Sequence, residues 1–134
     1  MNTFHLEIVT PDGMKFDGKV QSLLVRTDMG DVEIMAGHAD FVGVVAIGRA
    51  RIKYADSTER FASASGGFLT VTRDGVRIVA TTFEFADEID LKRAQAAAER
   101  AQKALEMTRS ERDERVARAK LARATNRINV ASLK

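Results

Sequence analysis

Phe83-Glu84-Phe85-Ala86-Asp87-Glu88-Ile89-Asp90-Leu91-Lys92-Arg93-Ala94 is the stretch at which this 134-residue chain changes its period. All nine glycines, the single proline and all eight aromatic residues lie at or before Phe85. From residue 86 onward the chain is rich in Ala, Arg and Glu, in helical order. Two structures built on different periods are expected: residues 1–86 as a β domain and residues 87–134 as a helical appendage.

Upstream of the junction the pattern is that of short strands. Phe4, Leu6 and Ile8 alternate with Thr3, His5 and Glu7, so one face turns inward. Pro11-Asp12-Gly13 has turn chemistry, with φ fixed by Pro and positive φ open to Gly. Val20 to Val25 is a more continuous apolar stretch, as expected of a strand covered on both faces. Ala50, Ile52 and Tyr54 alternate with Arg49, Arg51 and Lys53, giving a half-buried strand with a basic outer face. Arg60–Ser65 and Phe68–Thr72 read as further strands. Phe68–Thr72 and Val76–Thr82 flank Arg73-Asp74-Gly75, a hairpin signal. Gly66-Gly67 reads as a bend or bulge. Turn signals about every ten residues predict an antiparallel β-sandwich or flattened barrel.

Downstream, Leu91, Ala94, Ala98, Ala101 and Leu105 are spaced by three and four and predict one helix, capped by Asp87 or Asp90. Thr108-Arg109-Ser110-Glu111 fits a capping box, and Ala117, Leu121, Ala124, Ile128 and Ala131 predict a second helix. Glu111 with Arg115 and Glu114 with Arg118 form favourable i,i+4 pairs. The fold class is therefore α+β: an N-terminal antiparallel β-sandwich and a C-terminal antiparallel two-helix hairpin. Alanine seams bury little apolar area. Such a hairpin either docks and opens at small cost or stays packed on the sandwich.

Charge divides at the same place. Residues 1–86 carry nine Lys/Arg against eleven Asp/Glu, and residues 87–134 carry twelve against eight. A basic appendage on a mildly acidic body reads either as a solvated helix face or as a surface for an acidic protein, nucleotide or nucleic acid. A nucleic-acid-binding module is the alternative class; eight interleaved acids and the absence of an aromatic residue for base stacking argue against it. There is no cysteine, which excludes disulfides and thiolate metal sites. The opening residues lack the basic and apolar regions of a signal peptide, and no apolar run reaches the roughly 20 residues needed to span a bilayer. No phosphate-loop or dinucleotide glycine pattern occurs, and no acidic cluster has metal-ligand spacing. His5, inside an alternating strand, reads as structural or surface. Nothing in the chain reads as a catalytic site.

Three stretches form a set: His5-Leu6-Glu7-Ile8-Val9-Thr10-Pro11-Asp12-Gly13, Gly30-Asp31-Val32-Glu33-Ile34-Met35-Ala36-Gly37-His38-Ala39-Asp40-Phe41, and Ser65-Gly66-Gly67-Phe68-Leu69-Thr70-Val71. In this order, ahead of a helical hairpin, the chain resembles the epsilon subunit of bacterial F-type ATP synthase over essentially its whole length. The second stretch departs from the family's usual loop: Glu33 replaces a glycine, and Ala36 and Asp40 replace prolines. The resemblance implies a non-catalytic rotor-stalk subunit whose sandwich binds the gamma subunit and the c-ring. Asp31 and His38 fall in the region that approaches both partners, and Thr10 and Gly43 fall near the gamma-facing surface. It also implies a peripheral location on the cytoplasmic face of the bacterial membrane, with membrane contact only through the complex.

The helices would be a regulatory arm, either folded on the sandwich or extended into the alpha/beta catalytic head, where they block ATP hydrolysis. In the extended state Arg112, Arg115, Arg118, Lys120 and Arg123 would meet acidic segments of the head. Ile89-Asp90-Leu91-Lys92-Arg93-Ala94 fits the Ile/Leu-Asp-x-x-Arg-Ala motif with which some bacterial epsilon subunits bind ATP. Glu84, Arg100, Arg123 and Arg127 match further positions of that site. Arg93 and Arg100 are two helical turns apart and Arg123 and Arg127 one, so each pair projects to one side and both could converge on phosphates in a folded hairpin. The bland reading of the same residues is a helix pair laced with surface ion pairs. No cofactor is required; ATP is the implied regulatory ligand, preferring the folded arm.

Overall fold

One turn is used three times. Thr10-Pro11-Asp12-Gly13 joins β1 (Phe4–Thr10) to β2 (Gly13–Val20), Thr27-Asp28-Met29-Gly30 joins β3 (Ser22–Thr27) to β4 (Gly30–Met35), and Thr72-Arg73-Asp74-Gly75 joins β7 (Glu59–Thr72) to β8 (Gly75–Phe85). In each, the threonine Oγ1 accepts the backbone N–H two residues ahead, at 3.2, 3.1 and 3.2 Å. The closing glycines have φ of +116°, +106° and +143°, which disfavours a side chain. These observations come from a computed structural model, which describes residues 2–134. Met1, the first residue of the expected sandwich, lies outside the described residues.

With β5 (Phe41–Val44) and β6 (Gly48–Lys53), the strands form one continuous sheet that folds on itself. β7 pairs with β8 along its length, but its other edge is shared between β6 at Glu59–Ala64 and β5 at Phe68–Val71. β8 in turn pairs with β1 only over Val76–Val79. One layer is thus β5, the second half of β7, the first half of β8, β1 and β2. The other is β4, β3, β6 and the remaining halves of β7 and β8.

The fold-over falls at Gly66-Gly67, both with positive φ. A Cβ on Gly67 would lie 1.8 Å from the Val79 carbonyl oxygen. Leu6, Ile8, Leu23, Val25, Ile34, Ile52, Leu69, Ile78 and Phe83 fill the space between the layers.

The β-sandwich expected from the alternation is present, with two departures. β1 and β8 are parallel, where the sequence predicts an antiparallel sheet; the whole sandwich connects them, so no hairpin dictates their direction. Val20–Val25 is two strands, because the chain bends at Gln21, whose N–H donates to the Lys53 carbonyl at 2.7 Å.

After a 3-10 turn at Ala86–Glu88 come α1 (Leu91–Glu106) and α2 (Glu111–Ala131). Asp90 caps α1, its carboxylate accepting the Arg93 N–H at 3.1 Å. Ser110, not Thr108, caps α2 by accepting the Asp113 N–H at 3.1 Å. Thr108 instead donates back to the Leu105 carbonyl and closes α1. The alanine seam is present, with Ala94, Ala101, Ala117 and Ala124 buried. Leu91, counted in that seam from its spacing, is 43% exposed. The Glu114–Arg118 pair forms at 2.8 Å, whereas Glu111 and Arg115 are not paired among the described residues.

The helix that meets the sheet is α2, which packs on β6, β7 and the 3-10 turn, while α1 packs chiefly on α2. Gly67→Ala should destabilise the chain by about 3 kcal/mol or more, because the positive φ and the carbonyl clash act together. Gly37→Ala, with φ +82° but open space around it, should cost only about 1 kcal/mol. Urea midpoints of the two variants test this difference.

Candidate functional site

Between Ala62 and Ser65, β7 is buried at four successive positions. Strand alternation sends Ala62 and Ala64 into the sandwich and leaves Ser63 and Ser65 on the outer face. That face is covered by α2. In the ladder, Ser63 lies opposite Glu84 and Ser65 opposite Thr82, and the Ser65 and Thr82 hydroxyls are 2.6 Å apart. The floor beneath the helix is therefore a patch of small polar groups with one carboxylate.

The roof comes from the helices. Lys120, Arg123, Ala124 and Arg127 follow the three-and-four spacing of a single helix face and stand over this floor, with Ala97 of α1 beside them. Together they line a cleft of about 220 Å³. Arg127 Nη2 donates to Glu84 Oε2 at 3.2 Å, and its Nε lies 2.7 Å from Oε1, close enough for charge attraction but without hydrogen-bond alignment. Lys120 and Arg123 have no carboxylate partner among the described residues. The cleft thus has three cations against one carboxylate, plus hydroxyl groups: a chemistry suited to an anion such as phosphate.

Of the residues implied for ATP, Glu84, Arg123 and Arg127 come together here. Ile89, Asp90 and Ala94 have evident structural work instead. Ile89 packs with Ala86, Val130 and Ala131 at the base of the hairpin, with Phe61 against the cluster. Asp90 caps α1, and Ala94 is fully buried in the helix seam. Arg93 and Arg100 are exposed on α1 and are not among the side chains lining the cleft. Sequence reasoning missed Ser63, Ser65 and Thr82, whose pattern carries no chemical motif; four successive small residues on one strand are the only local sign that both its faces are covered.

The residues implied for protein partners are dispersed. Thr10 is 6% exposed, and its hydroxyl is engaged in the β1–β2 turn. Asp31 is the second residue of β4, paired to Arg26 Nε at 3.0 Å, in a cleft beside the end of α2. His38 lies beyond the other end of β4, roughly 13 Å or more away by strand rise. Its Nδ1 donates to the Ala39 carbonyl at 2.7 Å, and its ring meets Phe41 edge-on. Gly43 sits on β5 between the exposed Val42 and Val44. His5 is hydrogen-bonded to Asp17 across the β1–β2 pair. Arg112, Arg115, Arg118 and Lys120 are exposed on α2, Arg118 being held by Glu114.

At the joint, Arg60 stacks 3.6 Å from the centre of the Phe85 ring and reaches Asp87 at 3.3 Å. Partial burial opposes the Arg60 charge, but the Tyr54 and Asp87 oxygens outweigh it and raise its pKa. Among the described residues no acidic and histidine cluster could hold a metal ion, and no helix is long and apolar enough to cross a membrane.

A folded-over β-sandwich carrying an antiparallel helix pair is an architecture with known relatives. The family model for the β-sandwich domain of the ATP synthase delta/epsilon chain matches residues 3–86, and that for its long α-helix domain matches residues 87–132. The chain belongs to the ATP synthase delta/epsilon family.

It aligns end to end with proteins named ATP synthase epsilon chain: 41% identical over 131 residues to that of Bacillus pumilus, covering 98% of both chains, and 38% over 135 residues to that of Staphylococcus aureus, covering 100% of both. A chain in the cryo-EM structure of the Euglena gracilis mitochondrial ATP synthase (OSCP/F1/c-ring) shares the fold, with a TM-score of 0.81 and 23% identity over 98% of this chain and 82% of that one. A chain of the Tetrahymena thermophila central stalk and c-ring does so at a TM-score of 0.66 and 14% identity, covering 95% of each.

The cap that Asp90 supplies to α1 has a measurable consequence. Asp90→Ala should raise exchange of the Arg93 amide about fivefold, the loss of about 1 kcal/mol of capping, while Asp90→Asn, which keeps an acceptor, should leave it near wild type. Hydrogen–deuterium exchange of the full chain checks both.

Proposed function

We propose that this chain is a non-catalytic rotor-stalk subunit of an F-type ATP synthase, whose sandwich joins the gamma subunit to the c-ring and whose helices form a regulatory arm. The observation that carries the proposal is the end-to-end match of both domains to the delta/epsilon family. In this reading the docked hairpin is the permissive state of the arm, and release sends the exposed basic face of α2 toward the alpha/beta head to block ATP hydrolysis. The subunit works at the cytoplasmic face of the bacterial membrane, and touches it only through the complex. No nucleic acid is involved, and the subunit has no reaction of its own.

ATP is the proposed regulator. Glu84, Arg123 and Arg127 already share a cleft, and the unpaired Arg123 is free to take a phosphate oxygen. Arg93 and Arg100 would turn inward over the phosphates, with Ile89, Asp90 and Ala94 setting the start of α1. A nucleotide held between the sandwich and both helices favours the docked arm, because undocking takes the site apart.

Deleting residues 87–134 in the assembled enzyme should raise ATP hydrolysis severalfold and leave assembly intact; unchanged hydrolysis would refute the inhibitory arm. Calorimetry of the full-length subunit should detect ATP binding, and Arg127→Ala should weaken it about 10- to 100-fold through the loss of a charge-assisted contact. An absence of heat at millimolar ATP would leave these arginines as surface or partner contacts.

A further inference from the structure

The docking of α2 has a specific anchor in Asn126, which lies outside the phosphate cleft. Asn126 Nδ2 donates to two acceptors at once, the Gly48 carbonyl and the Ser63 hydroxyl, each at 2.9 Å. Gly48 pairs with Ala64 and Arg49 with Ser63, so the two acceptors come from adjoining rungs of the β6–β7 ladder. A carbonyl oxygen can only accept, and this fixes the amide with its nitrogen toward the sheet. Gly48 itself has no alternative: a Cβ there would lie 2.5 Å from Arg26 Cβ, so β6 approaches β3 at this point only with glycine. The seat is built into the sandwich and does not depend on the helix.

We propose that Asn126 is the positioning residue that sets α2 on the sandwich, and that it does so without any ligand. This deepens the reading of the hairpin as a releasable arm and rests on it. Among the described residues, the hydrogen bonds and ion pair that hold α2 to the sandwich, and its apolar contacts at the joint, lie in one short segment. Asn126 takes the two-strand seat, Arg127 takes Glu84, and Val130 and Ala131 close on Ala86, Ile89 and Phe61. Arg127 serves both the docking and the proposed phosphate cleft, and Ser63 lines that cleft, whereas Asn126 and its Gly48 acceptor do not. Asn126 therefore sets how often the arm is docked, independently of how strongly a docked arm holds an anion.

The test is hydrogen–deuterium exchange of the full-length chain without nucleotide, comparing wild type with Asn126→Ala, Ser63→Ala and the double variant. Alanine at 126 favours the helix, and Ser63→Ala leaves the helix untouched, so neither variant acts by breaking α2. Loss of two hydrogen bonds should raise exchange across α2 about 10- to 30-fold in Asn126→Ala, with β6 and β7 unchanged. Ser63→Ala should give a smaller rise, and the double variant no more than Asn126→Ala, because the hydroxyl's partner is already gone.

Unchanged α2 exchange in Asn126→Ala overturns the proposal, as does a rise spread equally over β6, β7 and α2. This readout involves no ATP hydrolysis. A tail deletion without effect on hydrolysis would remove the inhibitory arm and leave the seat standing, while unchanged exchange would remove the seat and leave the arm.

Discussion

The burial of one strand face under a polar helix contact is the constraint on which the rest of this molecule turns. The inner face of β7 belongs to an ordinary apolar core, in which Ala62, Ala64, Leu69 and Val71 meet residues of seven other strand segments. Its outer face offers α2 Ser63 and Ser65, with Phe61 at one end and Thr82 and Glu84 beside them. Water can replace each of those contacts at small net cost, since a typical hydrogen bond contributes about 1 kcal/mol. The apolar share of the dock is confined to Val130, Ala131, Ile89 and Ala86, with Phe61 at the margin. Val130 is the one large side chain of that group that is fully buried, a gain of roughly 1.5–3 kcal/mol. The sandwich keeps its own core whether or not the helices cover it, so the hairpin is the replaceable part.

Much of this architecture was legible because local physics determines it. The alternation of β1 and β6, the Arg73-Asp74-Gly75 hairpin, the Gly66-Gly67 bend and the alanine seams each follow from a period or a permitted φ. β2 was harder to see: Met14, Lys15, Asp17 and Gly18 give it a mostly exposed surface with little contrast between its faces. The parallel β1–β8 pair depends on contacts across the whole domain, which no local pattern records. The thrice-repeated Thr-x-x-Gly turn was in plain view, and it accounts for Thr10 as a turn residue as well as a partner candidate. Choosing Ser110 over Thr108 as the α2 cap needed knowledge of where α1 ends, which Thr108 itself helps to set.

The candidate site was legible in part for the same reason. Helical spacing places Arg123 and Arg127 on one face, but only the docking of α2 brings them over Glu84, 39 and 43 residues away in sequence. Ser63, Gly48 and Asn126 have no motif among them, since their relation exists only across the β6–β7 ladder. The Ile89-Asp90-x-x-Arg93-Ala94 stretch has a structural reading beside its resemblance to a nucleotide motif. Ile89 packs the joint, Asp90 caps α1 and Ala94 fills the seam, so the pattern would be useful to a helical hairpin that bound nothing.

The proposed nucleotide site has an energetic consequence. A ligand that binds only the docked arrangement stabilises it by RT ln(1 + [L]/Kd), about 2.7 kcal/mol at a hundredfold excess over Kd. This is the same size as the pair of hydrogen bonds from Asn126 taken with the partly exposed Arg127–Glu84 contact. It is far smaller than the cohesion of the sandwich core, where removing a single buried Leu or Ile side chain costs about 2–5 kcal/mol. A nucleotide bound as proposed would therefore shift the position of the helices without altering the fold that carries them. The polar floor under α2 makes this possible: an apolar face there would bind the hairpin too tightly for any such ligand to matter, and a bare one would leave the ligand to assemble its own site.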